Sequence, residues 1–336
     1  MSENDLLNLE KCELHCHVEG VFEPYWIWYN KDILKVDIGK TSFSELIDAY
    51  NITNSEQFFY NNKHSKTFYN VPNAIILLLK HHCLSLKKNN VVYSEIRINT
   101  NNLRFFKFEI YEYIRELTIE VSKYAEKLNI EVRFILGIRA DKSLAVIEDD
   151  AVIAKKLFEN KYIVGVDFNG NENNIDFKKI IPVCKYLHQN GLNITIHAGE
   201  FKNADNIWIA ICECFCKRIS HGVAIAHDES LISEIKRRNI HVEICVSSNI
   251  RTESVNDIEH HPIAKLYDSN CSISINTDDP GFFNTNMTNE YMLIHRAFGF
   301  SKEDFTNIFN MSIQSRFEYC NDFEMLMHNN SRNLSE

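Results

Sequence analysis

The amino-acid sequence predicts one α/β domain, residues 1–336, folded as a (β/α)8 TIM-type barrel with a helical insertion after the first strand. Short, nearly continuous apolar runs alternate with longer amphipathic stretches, which is typical of parallel strands covered by helices. Eight such runs occur, with helix-like stretches between them, and this barrel requires eight strand–helix units. A doubly wound parallel sheet is the alternative that the same alternation allows.

The predicted strands are the short apolar runs. They span residues 11–18, 90–98, 130–138, 162–168, 192–197, 217–223, 240–247 and 272–277. The predicted helices between them carry apolar residues at helical spacing. They span residues 108–128, 144–160, 177–190, 204–216 and 228–239. No stretch repeats closely enough to indicate a solenoid.

Residues 21–89 separate the first two predicted strands, and this distance is too long for a single crossover helix. The segment is rich in Phe and Tyr and predicts several helices. We expect it to form an insertion or lid with an apolar inner face at the C-terminal end of the barrel. The alternative is that Phe58, Phe59, Phe68 and Tyr69 only pack the insertion against the barrel.

Composition and charge narrow the class of partner. The net charge of −10 argues against nucleic acid or an anionic membrane, but not against a small charged substrate. The N-terminal residues MSENDLLNLEK do not resemble a secretion signal, and no run of about eighteen apolar residues could span a membrane. We therefore expect a cytoplasmic protein whose ten cysteines are reduced. The oligomeric state is left open.

The first predicted strand, within residues 11–20, carries the motif KCELHCHVEG. In a β-strand, Glu13, His15 and His17 would share one face, and the other face would be apolar. Two imidazoles spaced in this way at a strand end can bind one metal ion, and imidazole suits zinc, iron, copper or nickel. The alternative is a pair of surface or hydrogen-bonded histidines.

Residues of the same chemical type end three later strands. His197 ends the fifth strand in TIHAGE, His221 lies in ISHG of the sixth, and Asp278 and Asp279 follow the eighth in INTDDPG. Active sites of such barrels lie where the strands end, so we expect these side chains to meet the histidines of the first strand. Three imidazoles and one carboxylate would hold a zinc ion and leave a position for water, as catalytic sites do.

The fourth predicted strand bears on the number of ions. It ends in Phe168, Asn169 and Gly170, which offer neither a lysine nor a carboxylate to bridge a second ion. The sequence therefore predicts a site for one ion.

The motifs together resemble the adenosine deaminases, which are zinc-dependent purine deaminases of the amidohydrolase superfamily. They follow the family's order and span most of the barrel. They are KCELHCHVEG, VGVDFNGNE, HAGE with the following NIWIAI, RISHG, SSN at 247–249, HPI at 261–263 and INTDDPG. The resemblance implies one bound zinc ion, with four ligands. These are His15, His17, His197 and Asp278.

The resemblance also implies a reaction, the hydrolysis of adenosine and deoxyadenosine to inosine and deoxyinosine with release of ammonia. Glu200 would donate a proton to purine N1, and His221 would assist the attacking water. Asp279 would contact N7, and the backbone N–H of Gly170 would contact N3. Asp279 and Gly170 would bind the substrate together with His17 and Glu19.

The chemistry explains these residue types. Attack at C6 disrupts the aromatic ring unless N1 is protonated, and a carboxyl group whose pKa is raised by an apolar pocket can supply that proton. A zinc ion would lower the pKa of water towards neutrality. The alternatives are that Glu200 is a solvated loop residue, His221 a core histidine and Asp279 a helix cap.

Departures from the family pattern concern the substrate. Glu19 stands where adenosine enzymes usually carry Asp, at the position that contacts the ribose 5′-hydroxyl, and relatives acting on free adenine also have Glu. The longer side chain could reach the ribose or fill the sugar space. Ser220 is typical of neither group, and Asn171 replaces an acidic residue. INTDDPG and NIWIAI favour adenosine, and adenine or another aminopurine is the alternative.

Other protein classes fit less well. A purine-binding protein without activity would lack a metal ligand or the proton donor, and the sequence lacks neither. The combined H-x-E and P-C-x-x-C signature of cytidine-deaminase-type zinc enzymes is incomplete, because the sequence contains no P-C-x-x-C. A dinucleotide-binding G-x-G-x-x-G motif is absent as well.

Overall fold

The computed structural model describes residues 1–40, 42–61, 68–69, 71–105, 109–201 and 203–319. Eight strands pair in parallel and in chain order, which confirms the predicted (β/α)8 TIM barrel. The strands are Lys11–His17 (β1), Val91–Asn99 (β2), Glu131–Arg139 (β3), Gly165–Asn169 (β4), Ile194–Ala198 (β5), Arg218–His221 (β6), His241–Ile244 (β7) and Ser272–Ile275 (β8). Each overlaps one predicted strand.

The barrel closes between β1 and the residues that follow β8. The backbone N–H of His17 donates to the carbonyl oxygen of Asp278 at 2.9 Å, and the N–H of Asp278 donates to the carbonyl oxygen of His15 at 3.0 Å. Cys16 and Asp278 form the corresponding parallel bridge. The closing hydrogen bonds therefore lie at the C-terminal end of the barrel.

Helices surround the strands. Those in the described residues are Glu3–Leu7 (α1), Pro24–Leu34 (α2), Phe43–Tyr50 (α3), Ser55–Asn61 (α4), Pro72–Lys88 (α5), Thr100–Phe105 (α6), Ile110–Lys127 (α7), Leu144–Glu159 (α8), Phe177–Gln189 (α9), Ala204–Glu213 (α10), Glu229–Arg237 (α11), Val246–Arg251 (α12), Ile263–Asp268 (α13), Pro280–Phe283 (α14), Met287–Phe298 (α15) and Lys302–Ser315 (α16). The five predicted helices correspond to α7–α11. The predicted start at residue 108 lies outside the described residues.

Two predicted boundaries are wrong for local backbone reasons. The predicted helix 204–216 ends earlier, because Phe215 adopts a left-handed conformation with φ of 56° that no α-helix can contain. The predicted strand 240–247 is shorter because α12 begins at Val246.

The insertion between β1 and β2 is helical where it is described, as α2–α5, while its positions 41, 62–67 and 70 lie outside the described residues. Phe58 of α4 stacks near Phe283 of α14, with ring centroids 5.5 Å apart. Phe22 lies close to the buried Phe68, with centroids 4.7 Å apart. Because α14 directly follows Asp279, these aromatic contacts hold the insertion over the C-terminal end of the barrel.

An irregularity in β1 changes the predicted pattern of side chains. The pairing register with β2 shifts between Glu13 and Cys16, and both side chains face His82 of α5 on the outside of the barrel. His15 and His17 instead point inward, towards the carboxylate that follows β8. The prediction that Glu13 shares their face is therefore wrong, because a β-bulge beside a site redirects side chains.

A buried network of ion pairs fills the barrel interior below the strand ends. Arg97 pairs with Asp167 and Glu243, and Arg218 pairs with Glu95 and Glu243. All five side chains are buried, so each charge depends on its partners for stabilisation.

Within the described ranges, none of the helices is both long and apolar enough to cross a bilayer.

Candidate active site

Three imidazoles and one carboxylate lie close together at the C-terminal end of the barrel. The imidazoles are at the ends of β1 and β5, and the carboxylate belongs to Asp278, which follows β8. Asp278 Oδ1 lies 3.2 Å from His15 Nε2 and 3.5 Å from His17 Nε2. The ring of His197 lies 4.8 Å from that of His15 and 5.4 Å from that of His17, centroid to centroid. All four side chains are buried. The four residues predicted as metal ligands therefore form one cluster.

His221 lies at the edge of this cluster. Its ring centroid is 5.0 Å from that of His15, and its Nε2 is 4.0 Å from Asp278 Oδ2. The side-chain amide of Asn249 lies 3.1 Å from His221 Nδ1 and fixes the ring orientation. Burial lowers the pKa of His221 well below its ordinary value, which favours the neutral ring. Because an amide N–H donates to Nδ1, the proton of that ring is on Nε2.

A carboxylate contacts the Nδ1 atom of two of the imidazoles and orients each ring. Glu243 Oε2 lies 3.0 Å from His15 Nδ1, and Asp167 Oδ1 lies 3.0 Å from His197 Nδ1. Such contacts turn the other ring nitrogen towards a metal and raise its basicity. Although burial alone would raise the pKa of Asp167, His197 and Arg97 hold it below its usual range.

The residues of the cluster fit a metal ion. The Nε2 atom of His15 is buried and makes no hydrogen bond, although it lies 3.2 Å from an oxygen of Asp278. A buried polar atom without a partner is costly, and imidazole and carboxylate are ordinary zinc ligands. Ser248 donates to Asp278 Oδ2 at 2.7 Å and holds the carboxylate in place.

Two residues of the cluster have an unusual backbone conformation. Asp278 and His221 have φ of 63° and 65°, in the left-handed region that few residues other than Gly adopt, although Asn, Asp and His do so more often than the rest. Such conformations persist where the surroundings fix them, and they concentrate at functional sites.

Glu200 lies three residues after His197, in the turn that follows β5. Its side chain is buried, and burial raises its pKa well above the ordinary value, with further increases from the charges of Asp278 and Glu172. Burial therefore favours the protonated form of this carboxyl group, which can act as an acid. The alternative of a solvated loop glutamate is inconsistent with this burial.

Glu172 holds the turn that carries Glu200. Its carboxylate accepts from the backbone N–H of Gly199 at 2.6 Å, from that of Phe201 at 3.0 Å and from the side-chain amide of Asn206 at 2.9 Å. Gly199 has φ of 70°, and a Cβ there would lie 2.3 Å from an atom of Ile207. The turn is therefore fixed on both sides of Glu200.

Nearly all of the predicted site residues line one cavity. Its volume is about 70 Å³, and it is lined by all of the sequence-predicted site residues except His15. They are His17, Glu19, Gly170, His197, Glu200, His221, Asp278 and Asp279. Phe58 and Phe59 of the insertion also line it.

Asp279 occupies the N-cap position of α14, but its side chain makes no capping hydrogen bond. Burial raises its pKa well above the usual value, and the charges of Asp278 and Glu19 raise it further. Its Oδ1 has no hydrogen-bond partner. Gly20 permits the close approach, since a Cβ there would lie 2.2 Å from that oxygen. Asp279 thus lines the cavity with a carboxyl group whose surroundings favour its protonated form.

Glu19 is held at the other side of the cavity. Its Oε1 accepts from Tyr69 and Asn102, each at 2.9 Å, and its Oε2 accepts from Asn99 at 3.3 Å. Burial raises its pKa, against the effect of these hydrogen bonds. Glu19 also borders an adjoining cavity of about 300 Å³ whose lining includes Lys142 and several Asn side chains.

Sequence reasoning missed several residues of the site. The prediction for the fourth strand concerned only its end, residues 168–170, and it missed Asp167 within β4, which contacts His197. Charged residues inside apolar runs, such as Asp167 in VGVDFN and Glu243 in HVEIC, were the available signal. The structural roles of Glu172 and Asn249 had no such signal.

Comparisons with known proteins agree with this geometry. The family model described as adenosine deaminase matches residues 10–326. The adenosine deaminase of Plasmodium gallinaceum is 30% identical over 325 residues, covering 92% of this chain and 87% of that protein.

Solved structures support the fold. The adenine deaminase from Arthrobacter aurescens has a TM-score of 0.83 at 19% identity, covering 97% of this chain and 99% of that one. An N6-mAMP deaminase from Arabidopsis has a TM-score of 0.83 at 24% identity, with coverage of 97% and 98%. An amidohydrolase from Burkholderia ambifaria with bound Zn has a TM-score of 0.81 at 20% identity, with coverage of 97% and 94%. By the family match over nearly its whole length, the chain belongs to the adenosine deaminase family and is a deaminase.

Proposed function

We propose that the protein is a zinc-dependent deaminase that converts adenosine and deoxyadenosine to inosine and deoxyinosine with release of ammonia. The observation that carries this proposal is the buried carboxyl group of Glu200, which shares one cavity with the cluster of imidazoles and a carboxylate. A protonated acid beside a metal-binding cluster is what attack on a purine ring requires.

Four residues, His15, His17, His197 and Asp278, would hold one zinc ion. When bound, the ion would act as a Lewis acid that lowers the pKa of water. The choice of zinc is supported by the imidazole and carboxylate donor set and by the structurally similar amidohydrolase with bound Zn.

The protein's own groups would move the protons. Glu200 would donate a proton to N1, so that addition of water at C6 leaves no negative charge on the ring. His221, neutral in its buried position, would hold the attacking water while Asn249 holds the ring in place. One proton of that water would pass to the amino group, which would leave as ammonia, and the other would return to Glu200 as the C6 carbonyl forms.

The base would be held by hydrogen bonds of matching polarity. Purine N7 accepts hydrogen bonds, and a protonated Asp279 can donate one. The N–H of Gly170, whose φ of 128° directs the backbone at the end of β4, would donate to N3. Within one deaminase domain, residues 21–89 would act as a lid in which Phe58 and Phe59 cover the substrate.

The sugar contact would be made by Glu19. Its Oε2 accepts only the longer hydrogen bond, 3.3 Å from Asn99, and can accept a further one from the ribose 5′-hydroxyl. The structurally similar adenine deaminase keeps adenine as the second candidate, since the same side chain would also fill the space of the sugar. The adjoining cavity would admit an aminopurine with a larger 5′ substituent.

Ammonia release from the zinc-loaded protein tests the proposal. Adenosine, deoxyadenosine, adenine and AMP are assayed side by side, and a chelated sample serves as control. We expect turnover of the two nucleosides, little of adenine or AMP, and none after chelation. Preference for adenine or AMP would overturn the assigned substrate, and the absence of ammonia from all four would overturn the reaction.

The variant Glu19→Asp tests the sugar contact. The shorter carboxylate matches the residue usual in adenosine enzymes, so the ratio of kcat/KM for adenosine to that for adenine should rise. Metal content measured in the same sample should stay constant. An unchanged ratio would mean that Glu19 does not contact the sugar.

A further inference from the structure

A second buried cluster of metal-binding side chains lies behind the first strand, outside the barrel. Glu13 and Cys16 of β1 face His82 of α5 because of the bulge in the strand. His82 Nε2 lies 3.8 Å from Cys16 Sγ and 4.0 Å from Glu13 Oε2. All three ligand atoms lie within 4.8 Å of one another.

The carboxylate of this cluster has an unused oxygen. Glu13 Oε1 accepts hydrogen bonds from the side chain and backbone of Thr277, but Glu13 Oε2 is buried without a hydrogen-bond partner. Leaving such an atom unpaired is costly, and more so when the group is charged. A cation or a water at this point would remove the cost.

The cluster has room for one small guest. A cavity of about 10 Å³ is lined by Glu13 and His82, together with polar side chains such as Ser85 and Asn89. About 10–15 Å³ suffices for one water-sized particle. None of the residues that line this cavity lines the candidate active site. The guest would therefore be separate from substrate and from the catalytic ion.

The donor set is one that zinc prefers. Imidazole nitrogen, thiolate sulfur and carboxylate oxygen all bind zinc, at about 2.0–2.3 Å, which puts ligand atoms about 3.3–3.6 Å apart in a tetrahedral site. The separations of 3.8 and 4.0 Å are a few tenths of an ångström larger, within the reach of side-chain adjustment.

We propose that Glu13, Cys16 and His82 form a second, structural zinc site that ties α5 to β1. A water in the small cavity completes the coordination. The site joins the last helix of the insertion to the strand that carries His15 and His17. It goes beyond the proposed deaminase activity and does not depend on which purine is the substrate.

Cobalt substitution tests this proposal without an activity assay. A cysteine ligand gives Co²⁺ an intense near-ultraviolet thiolate charge-transfer band. The candidate catalytic cluster contains imidazoles and a carboxylate and would give none. We expect the full-length protein to bind two zinc ions per chain after gel filtration and to show the band when loaded with cobalt.

Variants assign the band to its ligands. Cys16→Ala and His82→Leu should each abolish the band and remove one zinc ion per chain. Asp278→Ala should lose the other ion and keep the band. Cys184→Ala changes a buried thiol elsewhere and should alter neither quantity.

Two outcomes would overturn the proposal. One zinc ion and no band in the parent protein would mean that a buried water occupies the cavity. A band that survives in Cys16→Ala would place the thiolate site elsewhere. Circular dichroism identifies any variant that fails to fold, and the spectrum of the parent protein decides the proposal in that case. An inactive protein that still shows the band would contradict only the proposed function.

Discussion

Glu200 and Glu172 are two buried carboxyl groups with different environments. Glu172 accepts three hydrogen bonds, whereas the described contacts of Glu200 raise its pKa through burial and neighbouring charge. The first group is therefore suited to hold the turn and the second to donate a proton.

Glu200→Gln tests the acid. Glutamine has the same shape but carries no acidic proton, so kcat for adenosine should fall by roughly 10²–10⁴-fold, the usual contribution of general acid catalysis. Zinc content, measured by mass spectrometry of the metal, should not change. Glu213→Gln, an exposed residue at the end of α10, is the matched control. Activity within a few-fold of the parent would remove Glu200 from this role.

Glu172→Gln tests the effect of the neighbouring charge. The acid acts in its protonated form, so activity falls as pH rises through the pKa of Glu200. Because the charge of Glu172 raises that pKa, its removal should move the alkaline limb of the kcat profile to lower pH. The broken hydrogen bond to Phe201 should also lower kcat while KM changes little. An unshifted alkaline limb would contradict the electrostatic effect.

Among single residues, the sequence predicted the site residues at the ends of strands and missed the residues that hold those side chains in place. His15, His197 and Asp278 were predictable because strand ends converge in a barrel. The contacts of Glu243 and Asp167 depend on the register between strands, which a sequence pattern does not specify.

Among the elements, α4 bears most directly on substrate access. The ring of Phe58 lies between α14 and the cavity, 5.8 Å from Phe282 and 5.5 Å from Phe283. A short helix held by aromatic contacts can leave and return without disturbing the barrel.

Phe58→Ala tests whether α4 covers the substrate. Loss of the ring should raise KM for adenosine by roughly tenfold, which corresponds to about 1.4 kcal/mol, and should leave zinc content unchanged. Glu56→Ala on the exposed side of the same helix should leave KM unchanged. Equal effects of the two variants would mean that Phe58 only stabilises the insertion.

Elements were predicted where hydrophobic periodicity decides them. The helices α7–α11 have apolar faces that pack on strands, and their positions followed from spacing. The bulge in β1 was not predicted, because KCELHCHVEG alternates regularly and the shift arises from pairing with β2. The early end of α10 depends on the conformation of Phe215 alone.

At the scale of the whole molecule, the buried ion pairs inside the barrel contribute both to the stability of the fold and to the geometry of the candidate active site. Arg97 neutralises both Glu243 and Asp167, the carboxylates that orient His15 and His197. The barrel was predictable from the alternation of strands and helices. The charged interior was not, because it forms only when side chains from several different strands lie at the same height along the barrel axis.

Arg97→Met tests that connection. It leaves two buried carboxylates without their partner, so the free energy of unfolding should fall by about 3–5 kcal/mol, measured by urea titration of the metal-free protein. Zinc affinity should fall as well, because the oriented imidazoles lose their support. Arg237→Met removes an exposed, solvent-screened ion pair with Glu234 and should lower the free energy of unfolding far less. Equal losses in the two variants would contradict the role of the network.

Asp278 belongs to both the closure of the barrel and the ligand cluster. If these residues bind zinc as proposed, separation of the first strand from the last would disperse the ligands, and release of the ion and opening of the barrel would be one equilibrium. An ion that binds only the closed ring would oppose opening by about 4 kcal/mol at a thousandfold excess over its Kd. Removal of the ion by a chelator would then weaken the contact between β1 and the residues after β8 before any other contact between strands. The free energy of unfolding would therefore depend on the concentration of free metal.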